Sequence, residues 1–560
     1  PPSGIMNSDD STKTLHQIWM RRDVMAASLA INVLGLALPI AILQTYDRVM
    51  RHHAFSTLIV LTIAVVASFA LEFALRVLRA RIMSAEGARY DHRESRRALS
   101  RLLATDVESF RKSTPGAHAE RFNAIQAVRT FYCQAGALMA DLPFVFVFVV
   151  IIGLIAGWMA LVPLVLFGAF VALGVTIGRQ LTVESGRREQ SDVKRHNFLV
   201  ESIGGIGTVK ALGLEASMQR RHERLQEDSA DAFGAITRMN LQAQSVASEL
   251  AQVAAVITVT VGAIAVVNGG LTIGGLAATT LLTGRFLQPV LKGLGLWARY
   301  PFIRLAEAKL KGLSALQPQF AGDRLLPAAA GALTLENVSF RYEGAKRNAV
   351  DRVTLEVPPG AYIGIAGPIS SGRSTLLKLL NGLLTPSEGS IRYDGVPLRL
   401  YAPRDLRRQV ALMPTSPTIY AGTLLENLTL FEDGQVKRRA LALCRILGLE
   451  EYVARLSRGL DTPLSGGADM PLGIAQRISI ARVLAHDPRI VLFDTANAAL
   501  DHEADKLLLS FFEHHKGKRA AVFVTDRPSY LRLCDTVYDM ADGRLTRRRN
   551  VPARAVGGAA

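Results

Sequence analysis

The sequence predicts a helical membrane domain followed by an α/β domain on a mainly parallel sheet. Three observations carry this expectation. Long uncharged apolar runs fill the first half of the chain. A stretch rich in Pro, Gly and Ala, residues 317–332, then breaks the texture. Beyond it, short apolar strands alternate with helical segments, and one strand–helix junction holds a glycine-rich loop.

The membrane half comes first. Of 560 residues 49% are hydrophobic, and they concentrate in runs without a charge. A spanning helix needs about 20 such residues. Residues 24–45 and 54–71 are each long enough for one span. Residues 142–178 and 250–284 are each long enough for a helical hairpin, turning near Gly157 and Trp158 and near Asn268, Gly269 and Gly270. Six spans are therefore expected within residues 23–316. Uncharged runs of this length are rare in soluble cores, which argues against buried core helices. The polar helical stretches after the second and fourth spans suit hairpins that carry the spans past the bilayer.

The formal net charge is +17. Such a balance can signal nucleic-acid binding, but its placement argues for topology instead. Arg76, Arg79, Arg81, Arg89, Arg93, Arg96 and Arg97 follow the second run, whereas only Arg48 and Arg51 lie between the first two. Cytoplasmic flanks collect Lys and Arg, so both termini are expected in the cytoplasm and no nucleic-acid partner is implied. Residues 1–22 form a short cytoplasmic segment; the first run reads as a span rather than a cleaved signal. The three cysteines, Cys133, Cys444 and Cys534, are far apart, and neither a disulfide nor a metal site is expected of them.

Residues 317–332 read as a linker. In the domain expected over residues 333–547, ALTLENVSFRYEG alternates as a strand, and AYIGIAG, RRQVALMP, RIVLFD and AAVFVTD read as further strands. Residues 548–560 form a basic, Gly/Ala-rich tail expected to be disordered. GPISSGRST follows a strand and opens a helix. Its spacing fits a phosphate loop through Gly367, Gly372 and Ser374, with Pro368, Ile369, Ser370, Ser371, Arg373 and Thr375 completing it. Backbone N–H groups of such a loop cradle phosphates. Ser374 is the expected Mg2+ ligand, with Asp494 holding a metal-bound water. The usual Lys is Arg373, a cation with a broader planar head.

The second half resembles the nucleotide-binding cassette of ABC transporters, and the whole chain is similar to an ABC exporter half-transporter of the type I architecture. VSFRYEG places Tyr342 where that family stacks an aromatic on adenine. ESIGGIGTVKALGLE (201–215) resembles the family's second cytoplasmic loop, and LQTYDRVMRHHAFSTL (43–58) resembles the first periplasmic turn of type I protein-secretion transporters. The resemblance implies ATP and Mg2+ as ligands and a multi-pass protein of a bacterial inner membrane. It also implies a polypeptide cargo, a periplasmic adaptor and an outer-membrane channel. Only about 20 residues precede the first span, and leader-peptide cleavage is not expected of this chain.

The departures from the family pattern are concentrated at one site. The expected Gln after the strand VALMP is Thr415, the expected Glu after Asp494 is Thr495, and the expected switch His is Asp526. Thr cannot serve as a carboxylate base, and an anion at 526 repels a γ-phosphate. The signature has two registers. Counting back from QRISIAR places it at residues 470–474, MPLGI, with Pro471 at the Ser position; LSGGAD instead offers Ser465, Gly466 and Gly467. Helix-start signals favour the first register. The tripeptide ending in Asp501, expected with residues 465–467 at the dimer interface, is intact. With the phosphate-loop Lys also replaced, no usual catalytic set remains. The expectation is a hydrolysis-impaired subunit of a polypeptide exporter, paired with a more intact half-transporter in a heterodimer. A nucleotide-binding regulatory membrane protein that transports nothing, or a homodimer with an unusual ATPase site, are the other readings.

Overall fold

The computed structural model describes residues 21–314, 316, 319, 322–326, 331–465 and 470–548. The chain divides into two compact units with the boundary at Gln317–Pro318. The expected N-terminal segment and basic tail lie outside the described residues, apart from Arg21, Arg22 and Arg548.

The first unit is helical. Helices α1 (Arg22–Leu34) and α2 (Ala37–Gln44) are followed by α3 (Phe55–Ala104), α4 (Pro115–Ala156), α5 (Leu161–Gly204), α6 (Glu215–Val267) and α7 (Ile273–Ser314). Local sequence explains the breaks. Thr114 caps α4 by accepting from the Ala117 N–H at 3.2 Å, with Pro115 in the first turn. Gly157, at φ 59°, ends it. The turns near Gly157 and Asn268 fall where the sequence places them. Helix α3, with 50 residues, is about 75 Å long at 1.5 Å per residue, more than twice the hydrocarbon thickness of a bilayer.

The six expected spans fall on α1–α2, α3, α4, α5, α6 and α7. Among the described residues four stretches are long and apolar enough to cross a membrane: Arg22–His52, Phe55–Ala104, Gly116–Thr176 and Glu215–Val267. The third contains two helices, α4 and the start of α5. The sixth expected span falls on α7, which is not among these stretches. Its threonines at 279, 280 and 283, with Arg285 and Gln288, dilute the apolar run that continues from α6.

The second unit holds two main sheets and a two-stranded pairing of Gly422–Thr423 with Pro463–Leu464, where the sequence suggested one sheet. Strands β1 (Leu333–Phe340), β2 (Val350–Val357), β4 (Glu388–Tyr393) and β5 (Val396–Pro397) form an antiparallel sheet in the order β2–β1–β4–β5. Between β2 and β4 the chain contributes β3 (Tyr362–Ala366) to a second sheet. That sheet also holds β6 (Val410–Met413), β7 (Ile490–Asp494), β8 (Ala520–Val524), β9 (Thr536–Ala541) and β10 (Arg544–Arg547), in the order β10–β9–β3–β8–β7–β6. All its pairs are parallel except β9–β10. Strands β3, β7 and β8 are buried at every residue, as apolar runs covered on both faces should be. Alternation in β1 reflects a half-covered antiparallel sheet, so period alone did not separate the two.

The presumed linker is partly structured. Arg324 exchanges backbone hydrogen bonds with Leu400 and Ala402, at 3.1 and 3.0 Å. The amides of Gly331 and Ala332 donate to the Asp394 carboxylate. Gly322 lies so close to the Leu400 backbone that a Cβ would sit 2.3 Å from it. Under the parallel sheet, the rings of Tyr362, Phe493, Phe512, Phe523 and Tyr530 interlock, with centroids 4.9 Å apart for Phe512 and Phe523. Phe512→Ala removes the ring at the centre of this cluster. It is expected to destabilise the α/β unit by about 3–5 kcal/mol, read as a lowered unfolding midpoint in denaturant.

Candidate functional site

Strand order brings the candidate residues together. In β8, Val524 pairs with Ile365 of β3 on one side and with Asp494 of β7 on the other. The segments leaving these strands at their carboxyl ends therefore share one crevice, the position where open α/β sheets bind ligands. The loop 367–372 leaves β3 and enters helix α8 (Arg373–Leu380). Its backbone needs glycine twice. A Cβ on Gly367 would lie 2.2 Å from the Met540 carbonyl oxygen, and one on Gly372 2.0 Å from that of Ala349. Ser370 sits at φ 67°, and Ile369 is fully exposed at the loop tip. Gly372 provides no side-chain cap, so the first amides of α8 have no intrahelical acceptor. The buried Ser371 Oγ also has no hydrogen-bond partner. Unfilled donors around a tight loop are what a bound phosphate requires.

The side chains around this loop form three contacts. Ser374 Oγ donates to Asp494 Oδ1 at 2.8 Å. Burial pushes the Asp494 carboxyl above the ordinary aspartate range, and the Ser374 hydroxyl partly opposes it. Two hard oxygens side by side fit Mg2+, and these residues are the ones that could hold it. Thr415 Oγ1 donates to the Asp494 carbonyl oxygen at 2.7 Å. Thus the Gln position has become a short brace on β7. Arg373 Nη1 donates to Asp526 Oδ1 at 2.8 Å. The sequence presented these last two residues as separate departures; the structure makes them partners. Tyr342 packs edge-on against Phe340, and its hydroxyl lies 3.2 Å from Thr375 Oγ1, so the aromatic borders the loop.

Thr495 follows Asp494 at φ 50°. A β-branched residue in the left-handed region is strained. Its amide donates to the Val524 carbonyl at 3.0 Å, which pins the turn. The other candidates lie on different elements. Four α-helices intervene after α8, among them α9 (Leu424–Thr429) and α10 (Gln435–Ile446), before helix α11 (Leu472–Ala485), whose N-cap is Pro471. The helix thus begins inside MPLGI. Ser465 lies on the exposed loop before it, and Gly466 and Gly467 lie outside the described residues. Asp501 caps helix α12 (His502–His515) through the Ala504 amide at 2.8 Å and pairs with Arg477 at 2.6 Å.

Several positioning residues escaped the sequence reading. Gln476 donates to the Pro414 carbonyl at 3.1 Å, and Arg482 to the carbonyls of Thr418 and Asn427, both at 2.8 Å. Together they hold the segment containing Thr415. Asn497 and Arg527 both bond Asp505, and the Tyr530 hydroxyl donates to it at 2.9 Å. A polar residue inside an apolar helix, such as Gln476 in GIAQRISIA, was the available signal: buried polar groups need partners.

The helical unit holds a cavity of about 830 Å3 whose mainly apolar wall carries several polar groups. Its wall includes Asn240, Gln244, Ser248 and Lys292, together with Asp141, which Arg79 pairs at 2.6 Å. An apolar cavity of about 470 Å3, lined by Phe131, Met139, Phe170 and Trp297, adjoins it through Leu138 and Leu294.

Comparison with known proteins covers both units. Residues 24–290 match the ABC transporter transmembrane region family, and residues 350–498 match the ABC transporter family. The exotoxin translocation ATP-binding protein PaxB of Pasteurella aerogenes is 27% identical over 529 residues, 94% of this chain and 74% of that protein. The cyclolysin secretion/processing ATP-binding protein CyaB of Bordetella pertussis is 27% identical, over 93% of this chain and 74% of that protein. The toxin RTX-I translocation ATP-binding protein of Actinobacillus pleuropneumoniae is also 27% identical, with the same coverage. A bacterial Atm1-family ABC exporter solved with ATP bound superposes with a TM-score of 0.83 over 94% of both chains, at 22% identity, and so shares the fold. With the two family matches lying in order over the helical unit and the α/β unit, the chain belongs to the ABC transporters, as a multi-pass membrane region fused to an ATP-binding cassette.

Proposed function

We propose that this chain is a hydrolysis-impaired subunit of an ABC exporter that moves a polypeptide across a bacterial inner membrane, with both termini in the cytoplasm. It pairs with a second half-transporter that retains the catalytic residues. One observation carries the reading. Among the described residues at the phosphate loop, the carboxylates of Asp494 and Asp526 are engaged by Ser374 and Arg373, and the base position holds the strained Thr495. Among the described residues, the position after Asp494 therefore offers a hydroxyl and no carboxylate. Losing a general base costs roughly 10²–10⁴ in rate. Phosphoryl transfer depends on positioning groups, and Thr415 and Pro471 also replace such groups.

Nucleotide binding is retained in this reading. ATP is held by the loop amides, Ser371, Ser374 and the ring of Tyr342; Mg2+ is held by Ser374 and Asp494. The bound pair supplies charge and a fixed nucleotide shape for closing two cassettes together. Polypeptide cargo is supported by the relatives, whose names describe toxin translocation, and by a cavity that combines apolar wall with polar groups, as a weakly selective path requires. A periplasmic adaptor and an outer-membrane channel complete the secretion route.

The purified chain alone is expected to bind ATP without releasing phosphate. Mixed with a half-transporter that keeps the missing residues, it should support turnover that disappears when the partner's base is replaced. Robust turnover by this chain alone would sink the proposal. Because catalytic groups acting as a unit are non-additive, Thr495→Glu by itself should raise phosphate release by less than about tenfold. Asn240, Gln244 and Ser248 recur every fourth residue on α6 along the cavity wall. Their joint replacement by Leu is expected to reduce cargo export roughly tenfold with ATP binding unchanged, because it removes polar groups that line the cavity wall.

A further inference from the structure

The ion pair between Arg373 and Asp526 has a consequence for ligand choice. Arg373 opens helix α8 with its side chain largely buried, 12% exposed, whereas Asp526 is 66% exposed. Asp526 stands two residues past the end of β8, and its neighbours hold it there. Buried Thr525 donates its amide to the Ile365 carbonyl at 3.3 Å and accepts from the Arg527 amide at 3.1 Å. The carboxylate is thus presented to the cation of the phosphate loop by two adjacent parallel strands. In such a loop the cation reaches the β- and γ-phosphates of a nucleotide. Here that cation already holds an anion belonging to the protein.

We propose that Asp526 acts as a resident substitute for the terminal phosphate, and that this cassette takes a nucleoside diphosphate in preference to a triphosphate. The inference rests on the nucleotide-binding reading of the loop given above. A diphosphate is held by the amides of residues 371–374 and by the Ser374 hydroxyl, and leaves the Arg373–Asp526 pair in place. A triphosphate must break that pair and bring its last phosphate beside a carboxylate. Like charges at such separations repel, and the guanidinium that would offset them is shared. Solvent at the exposed Asp526 side moderates the effect, so the discrimination is finite and falls as salt rises. The two departures then act as one device: an Arg whose broad fork suits a carboxylate, and a carboxylate at the switch position to fill it.

The test is equilibrium binding of ADP and ATP, each with Mg2+, to the full-length chain in lipid nanodiscs. The wild type is expected to bind ADP more tightly than ATP. Asp526→Ala and Asp526→Asn should each raise ATP affinity by about tenfold, the scale of one exposed charge contact, while ADP affinity stays within about threefold. Asp526→Glu, which keeps the charge, should retain the preference for ADP. A wild type that binds ATP at least as tightly as ADP, with a ratio untouched by Asp526→Ala, overturns the inference; so does failure to bind ADP. Phosphate release followed in the same samples tests the hydrolysis-impaired reading separately. Turnover by the wild type overturns that reading whichever way the affinity ratio falls.

Discussion

The cassette depends on the parallel pairing of three fully buried strands, β3, β8 and β7. Their hydrogen bonds set Ile365, Val524 and Asp494 level with one another. That register decides which side chains meet at the crevice. The loop after β3 brings cationic Arg373, the turn after β8 brings Asp526, and the end of β7 brings Asp494. A slip of one residue in β8 would exchange the side chains that face its two covered sides. The aromatic cluster beneath resists this, because Phe523 of β8 packs against Phe493 of β7 and Phe512 of α12.

Polar groups then stiffen what the apolar core positions. Gln476 and Arg482 reach from α11 to the segment carrying Thr415, and Thr415 reaches back to the Asp494 backbone. Asp505 gathers Asn497, Arg527 and Tyr530 on the far side of the same turn. Within the loop the buried Ser371 Oγ has no protein partner and is open to a ligand.

The helical unit solves a different problem. Charges held between packed helices are costly and appear in pairs. Arg79 bonds both Asp141 and Ser28, tying α1, α3 and α4 together. Glu72 is bonded by Arg76 of its own helix and by Arg285 of α7, at 3.3 Å. Arg285, which interrupts the apolar run of α7, thus supplies a cation to this cluster.

The sequence by itself determined a good deal. Uncharged runs of spanning length announced the membrane helices, and glycines at 157, 269 and 270 announced their turns, because backbone torsion at such points is a local property. The phosphate loop was legible for the same reason: only glycine tolerates the close approaches at 367 and 372. Local pattern also exposed Thr415, Thr495 and Asp526 as departures, one by one. Tertiary structure decided what they do together. Residues 373 and 526 are 153 apart in sequence and 2.8 Å apart in space, a pairing set by strand order and not by any nearby residue. The second, antiparallel sheet, the docking of residues 322–326 and 331–332, and the braces from Gln476 and Arg482 were hidden likewise. Each joins segments whose proximity exists only once the parallel sheet has formed, and periodicity carries no record of contacts at that range.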